Sequence, residues 1–412
     1  VNKALQTLID RGFVKDCTDF DGLSDLMDKG PVTLYAGVDP TGPSLHIGHM
    51  VPFFAMHHLQ NAGHNPIALV GGGTGLIGDP SGKTEMRKML TREQIADNCI
   101  HIKDQLGTVV DFSNSEGKGH ARMMDNADWL VDLNYIQFLR DIGKYFSVNR
   151  MLTFEGVKQR LERGLSFIEF NYQLLQSYDF YMLNQKTGCR LQIGGADQWG
   201  NIVAGIDLIN RMEGPQCYGL TFNLIMRSDG KKMGKSEKGA VFLNKDMYSP
   251  YDFYQYWRNV TDDDVIKFMK IFTFLDLDEI KEYEDPKRNI NDAKERLAYE
   301  QTKIVHGEEE AEKAKSAAKQ LFSGAGSKEG MPTYAVKEEE LKAGIGLLDL
   351  YTKAGLCSSN GDARRLVTQG GAEMNGVKLS DPRKIVTADD LDKDGELLLK
   401  AGKKRFIRVI VG

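Results

Sequence analysis

The chain has 412 residues, 41% hydrophobic and 27% charged, an ordinary globular balance with room for two to four domains. No apolar run approaches the roughly 18–20 residues of a membrane-spanning helix, and the five cysteines (Cys17, Cys99, Cys189, Cys217, Cys357) are scattered without a C-x-x-C pair, against a disulfide scaffold or a zinc ribbon. The net charge of −5 conceals an asymmetry: residues 345–412 carry twelve basic against nine acidic residues and the remainder is net −8, so the C-terminal end reads on charge alone as either a nucleic-acid contact or a solvated basic tail.

The N-terminus shows no basic-then-apolar leader pattern, which points to a reducing, cytoplasmic setting. Residues 1–29 read as a helical lead-in. Val32 to Val38 is a short β-prone run behind Pro31. Asp39-Pro40-Thr41-Gly42-Pro43-Ser44 is a loop by its Pro and Gly content. A helix-length apolar stretch, His46 to Ala62, follows, with Ser44 as its expected cap. Pro66 to Val70 reads as a second buried strand. Strand, loop, helix, strand is how a parallel α/β sheet opens. Beyond the glycines of Gly71 to Gly82, helices are predicted around 92–106, 134–145 and 166–184. A strand at Arg190–Ile193, a helix near 197–212 and a strand near 218–225 come next. Residues 226–240 are polar and rich in Gly and Lys, a mobile loop by composition. From 250 to about 322 the pattern is helical and strongly charged, with Phe268, Phe272 and Phe274 as expected core. Residues 323–346 have linker composition. The last stretch, 347–412, reads as a small αβ unit in which Asn375-Gly376 signals a hairpin.

Two glycine patterns and a histidine cluster invite other readings. Gly73-Thr74-Gly75-Leu76-Ile77-Gly78 matches the G-x-G-x-x-G dinucleotide fingerprint behind a strand, with Asp97 nineteen residues on. Its third glycine should open a helix, yet Asp79-Pro80-Ser81-Gly82 reads as a turn. Residues 77–84 come close to a P-loop, but Ile77 stands where the first glycine belongs. What remains is a Gly-rich loop where backbone approaches a ligand closely. Five of the eight histidines lie between positions 46 and 64. A metal site there lacks a third ligand at useful spacing, so packing is the expected role of His57, His58 and His64.

His46-Ile47-Gly48-His49 sits at the predicted start of a helix, after a strand and a Pro-rich loop. A helix N-terminus offers phosphate its free N–H groups and the positive end of its dipole. The two histidines, one turn apart, add donors on the same face, and Gly48 leaves room for a flat base against the backbone. Lys232-Met233-Gly234-Lys235-Ser236 lies in the Lys-rich loop. Two ammonium groups flanking a glycine suit a polyphosphate, whose developing charge they neutralise, although a lone loop of this kind is more often a solvated surface. Tyr172, Gln176 and Asp179 fall at i, i+4 and i+7, on one face of the predicted 166–184 helix. Three polar groups on one stripe of a helix rich in Phe, Leu and Tyr need a polar partner or solvent.

H-I-G-H near the start, with K-M-G-K-S about 190 residues later, resembles the paired signature of class I aminoacyl-tRNA synthetases, in which both motifs bind ATP. Leu34 to Thr41, Ala68 to Gly72 with Thr74 to Ser81, Phe138 to Lys144, Leu191 to Asn201 and Ser249-Pro250-Tyr251 are similar, in the same order, to the bacterial tyrosyl-tRNA synthetases. The similarity runs from about residue 30 to the C-terminus. It implies an α/β fold: a Rossmann-like class I synthetase catalytic domain over 1–245, with a dimer-interface insertion at about 125–165. An all-α anticodon-binding domain over 246–322, a linker at 323–346 and a small α+β S4-like RNA-binding domain over 347–412 would follow.

The same resemblance implies a tyrosine–tRNA ligase acting on L-tyrosine, ATP accompanied by Mg²⁺, and tRNA(Tyr), as a cytoplasmic homodimer. Tyr35 and Asp179 would hydrogen-bond the substrate phenol. Asp79, Tyr172 and Gln176 would hold its ammonium group, and Gln198 its carboxylate. Gly37, Asp39, Thr41, His46, Gly48, His49, Gln192, Gly195, Asp197, Lys232, Lys235 and Ser236 would bind ATP. Of these, His46, His49, Lys232, Lys235 and Thr41 would also serve catalysis, together with Lys83 and Arg87. Arg364, Arg365, Lys403, Lys404 and Arg405 would contact RNA phosphates. Gly234 departs from the usual pattern, which has Ser there; the change removes a donor and adds flexibility. Three other readings stand beside this one: the related tryptophan enzyme, an RNA-binding protein retaining an inactive synthetase fold, and an NAD-dependent oxidoreductase resting on the glycine pattern alone.

Overall fold

The computed structural model describes residues 1–412 apart from 81–88, 115, 229, 231–232, 237–238, 324–330, 393 and 403–404, and the backbone alone at 235 and 320–323. The N-terminus is not one helical run. α1 (Lys3–Asp10) is capped by the Asn2 side chain and gives way at Gly12, whose φ of +81° ends the helix. β1 (Val14–Cys17) and α2 (Phe20–Asp28), capped by Asp19, follow. β1 escapes sequence reading because its four residues, Val-Lys-Asp-Cys, carry no alternation.

β2 (Thr33–Val38), α3 (Val51–Asn61), β3 (Asn65–Val70), α4 (Arg92–Leu106) and β4 (Arg122–Asp125) come next. The short helices α5 (Ala127–Leu130), α6 (Tyr135–Asp141), α7 (Val148–Met151) and α8 (Glu155–Leu161) lead to α9 (Phe167–Thr187), β5 (Leu191–Gly195), α10 (Trp199–Arg211) and β6 (Tyr218–Phe222). The insertion was expected from about residue 125, and Asp125 is the last residue of β4.

The helix expected from His46 begins with a 3₁₀ turn, Ile47–Met50, before α3 proper. Its cap is His46 rather than Ser44: the Gly48 N–H donates to His46 Nδ1 at 3.1 Å. The Ser44 hydroxyl instead donates to Leu45 O and accepts from Gln105 and from the Asn244 N–H.

The six strands lie in the order β1-β6-β5-β2-β3-β4. All neighbours are parallel except β1, which runs antiparallel to β6 at the edge. Strands β3, β5 and β6 are buried along nearly their whole length, as strands covered on both faces must be. Chain order reverses at β2: β3 and β4 build outward on one side, β5 and β6 on the other. In such sheets the ligand crevice opens at the carboxyl ends of the strands flanking that reversal, here Gly37–Asp39 and Gly195.

β7 (Lys235–Ser236) and β8 (Gly239–Ala240) form a small ribbon in the Lys-rich loop. Then come α11 (Pro250–Arg258), α12 (Asp262–Phe272), α13 (Leu277–Glu282), α14 (Ile290–His306) and α15 (Glu308–Ser323). The compact units do not divide at 245/246: one holds residues 1–248 and 256–305, the other 249–255 and 306–412. Packing explains this. Phe54 of α3 meets Phe272 and Phe274 at 5.6 and 5.5 Å. The buried Arg11 guanidinium donates to the carbonyls of Lys270, Thr273 and Leu275 at the end of α12.

The second unit contains β9 (Thr333–Val336), α16 (Glu338–Ala343), β10 (Ile345–Gly346), α17 (Leu347–Lys353), α18 (Asn360–Thr368), β11 (Ala372–Met374), β12 (Val377–Lys378), β13 (Ile385–Val386), β14 (Glu396–Ala401) and β15 (Arg405–Val411). Asn375 and Gly376, at φ +51° and +81°, make the expected hairpin turn between β11 and β12. The linker expectation fails for residues 331–346. β9 pairs in parallel with β15 as the end of a five-stranded sheet, and Val336 and Leu341 are buried in the same core as Leu350, Leu397 and Val409. A fragment of residues 347–412 is therefore expected to melt well below one of residues 324–412. It loses the burial of Val336 and Leu341, about 3–6 kcal/mol together, which a circular-dichroism melt of the two fragments would register.

Candidate active site at the carboxyl edge of the sheet

α9 carries the polar stripe Tyr172, Gln176 and Asp179 to the crevice, held by a capping box of Ser166 and Glu169 at its start and by left-handed Gly188 at its end. Asp179 and Tyr172 are buried; Gln176 is half-buried. Asp179 accepts from Asn126 Nδ2 at 2.9 Å and from Trp129 Nε1 at 2.8 Å. The same Asn126 amide donates to Thr74 Oγ1 (2.8 Å), and the Thr74 hydroxyl donates to Asp39 Oδ1 (2.6 Å). Tyr172 closes the circuit by donating to Asp39 Oδ2 at 2.8 Å. The Tyr172 hydroxyl, expected on the substrate ammonium together with Asp79, bonds Asp39, and Asp79 is near enough to act on it as well.

A second network joins the other predicted residues. Gln198 Nε2 donates to Asp79 Oδ2 (2.8 Å), Gln176 Nε2 to Gln198 Oε1 (3.1 Å), and Asn201 Nδ2 to Gln176 Oε1 (2.9 Å). Two buried groups stay unsatisfied: Tyr35 Oη and Gln192 Oε1 find no hydrogen-bond partner among the described residues. A buried polar atom without a partner costs about 1–3 kcal/mol, a cost that a polar ligand at either atom would offset. The Asn171 amide bonds back to Phe167 O of its own helix and gives the pocket no support.

Burial dominates the electrostatics. It pushes the Asp179 carboxyl from its ordinary 3.8 up to about 8, against the opposing pull of Asn126 and Trp129. Burial also raises the Tyr35 phenol, with Asp179 adding to the effect. A carboxyl whose pKa is higher folded than unfolded favours the folded state fully below about pH 4, and that contribution is lost as pH climbs to about 8. The thermal midpoint of the wild type is expected to fall relative to that of Asp179→Asn across this window. Melts of both proteins at several pH values check the sign.

The Gly-rich loop is not a ligand cradle. Gly72 N–H donates to Asp125, Gly73 and Thr74 N–H to Asn126 Oδ1, and Gly75 N–H to Gly71 O. Its glycines make room for protein: a Cβ at Gly71 would lie 2.1 Å from Asp39 Oδ1, and one at Gly72 2.3 Å from Asp125 Oδ1. The dinucleotide reading falls with this, while residues 81–84 of the P-loop reading lie outside the described residues.

Across the crevice, the His46 and His49 rings stack with centroids 3.6 Å apart. His49 is exposed, as are Gly37, Thr41 and Asp197, while Gly48 and Gly195 are half-buried. The Thr41 N–H donates to Asp39 O at 2.8 Å. Gly195 spares room for Asp197, since a Cβ there would sit 2.7 Å from Asp197 Oδ1. The lysine loop is laced to the H-I-G-H segment: Ile47 N–H donates to Val241 O, and Val241 N–H to Gly234 O. Ser236 donates to Gly239 O within the ribbon. Lys83, Arg87 and Lys232 lie outside the described residues, as does the Lys235 side chain.

In the second unit, Arg364 and Arg365 are exposed on α18, and Arg365 lies 3.8 Å from Asp362. Arg405 is exposed but donates to Leu356 O at 2.8 Å. Lys403 and Lys404 lie outside the described residues. The other histidines pack as expected: His57 stacks on Phe274 at 3.7 Å, His58 meets Phe13 edge-on with its pKa lowered by burial to about 3, and His64 accepts the Val32 N–H.

Sequence reasoning missed Thr74, Asn126, Trp129 and Asn201. Asn126 and Trp129 lay inside the expected insertion. Their signal was there to read, a tryptophan from a chain holding three, beside a strand-ending Asp-Asn pair.

Comparison with known proteins places the chain in a family. Residues 27–323 match the family model of class I tRNA synthetases (W and Y), and residues 324–409 that of the tyrosine–tRNA ligase SYY-like C-terminal domain. The tyrosine–tRNA ligase of Treponema denticola is 57% identical over 412 residues, all of both chains. That of Acetivibrio thermocellus is 52% identical over 410 residues, 99% of each. Among solved structures, the C-terminally truncated mitochondrial tyrosyl-tRNA synthetase of Aspergillus nidulans is 32% identical with a TM-score of 0.68, over 77% of this chain and 94% of that one. The chain therefore belongs to the class I tRNA synthetases of the tryptophan and tyrosine branch and, within it, to the tyrosine–tRNA ligases.

Proposed function

We infer that this chain activates L-tyrosine with ATP and transfers it to the 3′ end of tRNA(Tyr). The observation that carries the amino-acid choice is the buried Tyr35 hydroxyl, unpartnered among the described residues and close enough to Asp179 to feel its charge. A substrate phenol between them would satisfy both. Asp79, Gln176 and Gln198 form a half-buried polar network suited to the ammonium and carboxylate groups. A tyrosine carboxylate oxygen attacks the α-phosphorus of ATP, the bond to pyrophosphate breaks, and tyrosyl-adenylate forms. A terminal ribose hydroxyl of the tRNA then attacks the acyl carbon, and AMP leaves with its bonding pair.

No side chain acts as a nucleophile. The residues contribute alignment and charge stabilisation. His46, Gly48 and His49 would take the nucleotide at the 3₁₀ turn. Asp197 would accept from ribose hydroxyls, and Lys232 and Lys235 would meet the departing phosphates. Magnesium would enter with ATP, held by the phosphates. The described residues offer no cluster of three or more His, Cys, Asp or Glu side chains to hold it, and no step is routed through it.

Arg364 and Arg365, exposed on one helix, would contact tRNA phosphates, which gives affinity without reading sequence. A homodimer is supported by the apolar exposure of the insertion. α6 has no buried residue, and Tyr135, Ile136 and Val148 are 58%, 71% and 57% exposed. ATP and tRNA as substrates are consistent with a cytoplasmic location. ATP–pyrophosphate exchange with each of the twenty amino acids is the decisive test. Exchange with tyrosine alone is expected; none with any of them would favour an RNA-binding protein on an inactive fold.

A further inference from the structure

We propose that Tyr256 is a positioning residue that fixes the lysine loop against the H-I-G-H segment through its phenol hydroxyl; this rests on reading that loop as the element that meets the ATP phosphates. The Gly234 N–H donates to Tyr256 Oη at 3.2 Å, and the Tyr256 hydroxyl donates to Met233 Sδ at 3.1 Å. One hydroxyl thus holds the two residues that stand between Lys232 and Lys235 in sequence. Met233 is buried, and its own N–H donates to Ile225 O at 3.0 Å.

The contact this hydroxyl secures is close. A Cβ on Gly234 would lie 3.0 Å from Gly48 N and 3.1 Å from His46 Nδ1, and a Cβ on Gly48 would lie 3.1 Å from Met233 O. The two signature segments therefore touch through the bare faces of two glycines. Gly234 has φ +87°, a conformation that serine adopts only with strain. The missing serine was expected to leave the loop more flexible. Helix α11 brings a hydroxyl to the Gly234 N–H. Tyr256 stands on a firm base: its neighbour Trp257 is fully buried and packs on Phe268 and Phe272 at centroid distances of 6.1 and 5.2 Å.

A loop held in place by the fold need not be ordered at the moment the phosphates separate, so loosening it slows the step the lysines assist. Tyr256→Phe removes the hydroxyl and keeps the ring. It is expected to lower kcat of tyrosine-dependent ATP–pyrophosphate exchange about three- to tenfold. The tyrosine KM and the thermal midpoint should be unchanged, and trypsin should cut faster within residues 226–240. Met233→Leu, which removes only the sulfur acceptor, should show a smaller loss of the same kind.

Lys235→Ala is assayed in parallel. Wild-type kcat in Tyr256→Phe beside a depressed Lys235→Ala would overturn the positioning role and leave the loop reading standing. Wild-type kcat in Lys235→Ala would overturn the loop reading and the proposal with it. A lowered thermal midpoint with kcat and both KM values shifted together in Tyr256→Phe would mark a merely structural tyrosine, and also overturn the proposal.

Discussion

Asp179→Asn is expected to cut kcat/KM for tyrosine by about 10²-fold while moving that for phenylalanine far less. A hydrogen bond contributes about 0.5–1.5 kcal/mol, and a buried group left facing the wrong partner costs about 1–3 kcal/mol more. Asparagine keeps the shape but turns one acceptor into a donor. One of Asn126 Nδ2 and Trp129 Nε1, both now bonded to the carboxylate, would then face another N–H. Tyr35→Phe is the cleaner companion. Its hydroxyl is buried with no partner among the described residues, so removing it should raise the thermal midpoint, by up to about 1–3 kcal/mol of stability. The same change should lower kcat/KM for tyrosine about tenfold. A group that costs stability in the free protein and contributes only with substrate bound is the mark of a binding site rather than a core. Sites built to hydrogen-bond a hydroxyl reject analogues lacking it by 10⁴–10⁵; tyrosyl-tRNA synthetase is itself the reference case for that rule, and the magnitude is taken over from it. Steady-state exchange kinetics with tyrosine and phenylalanine, alongside melts, measure both effects. An unchanged tyrosine-to-phenylalanine ratio in both variants would remove these residues from the pocket.

Lys235→Ala should reduce the rate of adenylate formation by about 10²–10³, the usual loss when one group aimed at developing transition-state charge is removed. The tyrosine KM should stay put, because the described bonds of Asp39, Asp79, Gln176 and Gln198 join them to Tyr172 and to one another. Rapid-quench measurement of adenylate on the enzyme separates the chemical step from binding. A tyrosine KM that rises with kcat unchanged would place Lys235 in ground-state binding instead. The backbone at this position is held by the β7–β8 pairing of Lys235 with Ala240, so the substitution alters a side chain on a fixed strand.

Much of the fold could be read in advance where local pattern and tertiary role coincide. The helix predicted at 92–106 is α4, residue for residue, because a Thr91 and Gln94 capping box marks its start and a glycine its end. The stripe of Tyr172, Gln176 and Asp179 needed only the helical period. Of the strands that were missed, β1, β4 and β9 are four residues each. Their hydrogen bonds come from partners far away in the chain, as when Thr333 of β9 aligns with Arg408 of β15, so nothing in their own sequence had to announce them.

The sequence by itself determined the class of chemistry: two signature segments, a polar stripe on an apolar helix, and a basic end on an acidic chain. It did so because those features are local, written in spacing and residue type. Only the tertiary structure decided which polar groups meet. Asn126 reaches Asp179 across 53 positions, Thr74 reaches Asp39 across 35, and Tyr172 turns to Asp39 across 133. It also decided that the Gly-rich loop spends its N–H groups on the protein's own side chains, and that a glycine in the lysine loop is answered by a tyrosine from another helix. Such pairings follow from where the strands end in space, and a buried donor takes whatever acceptor the fold brings within about 3 Å.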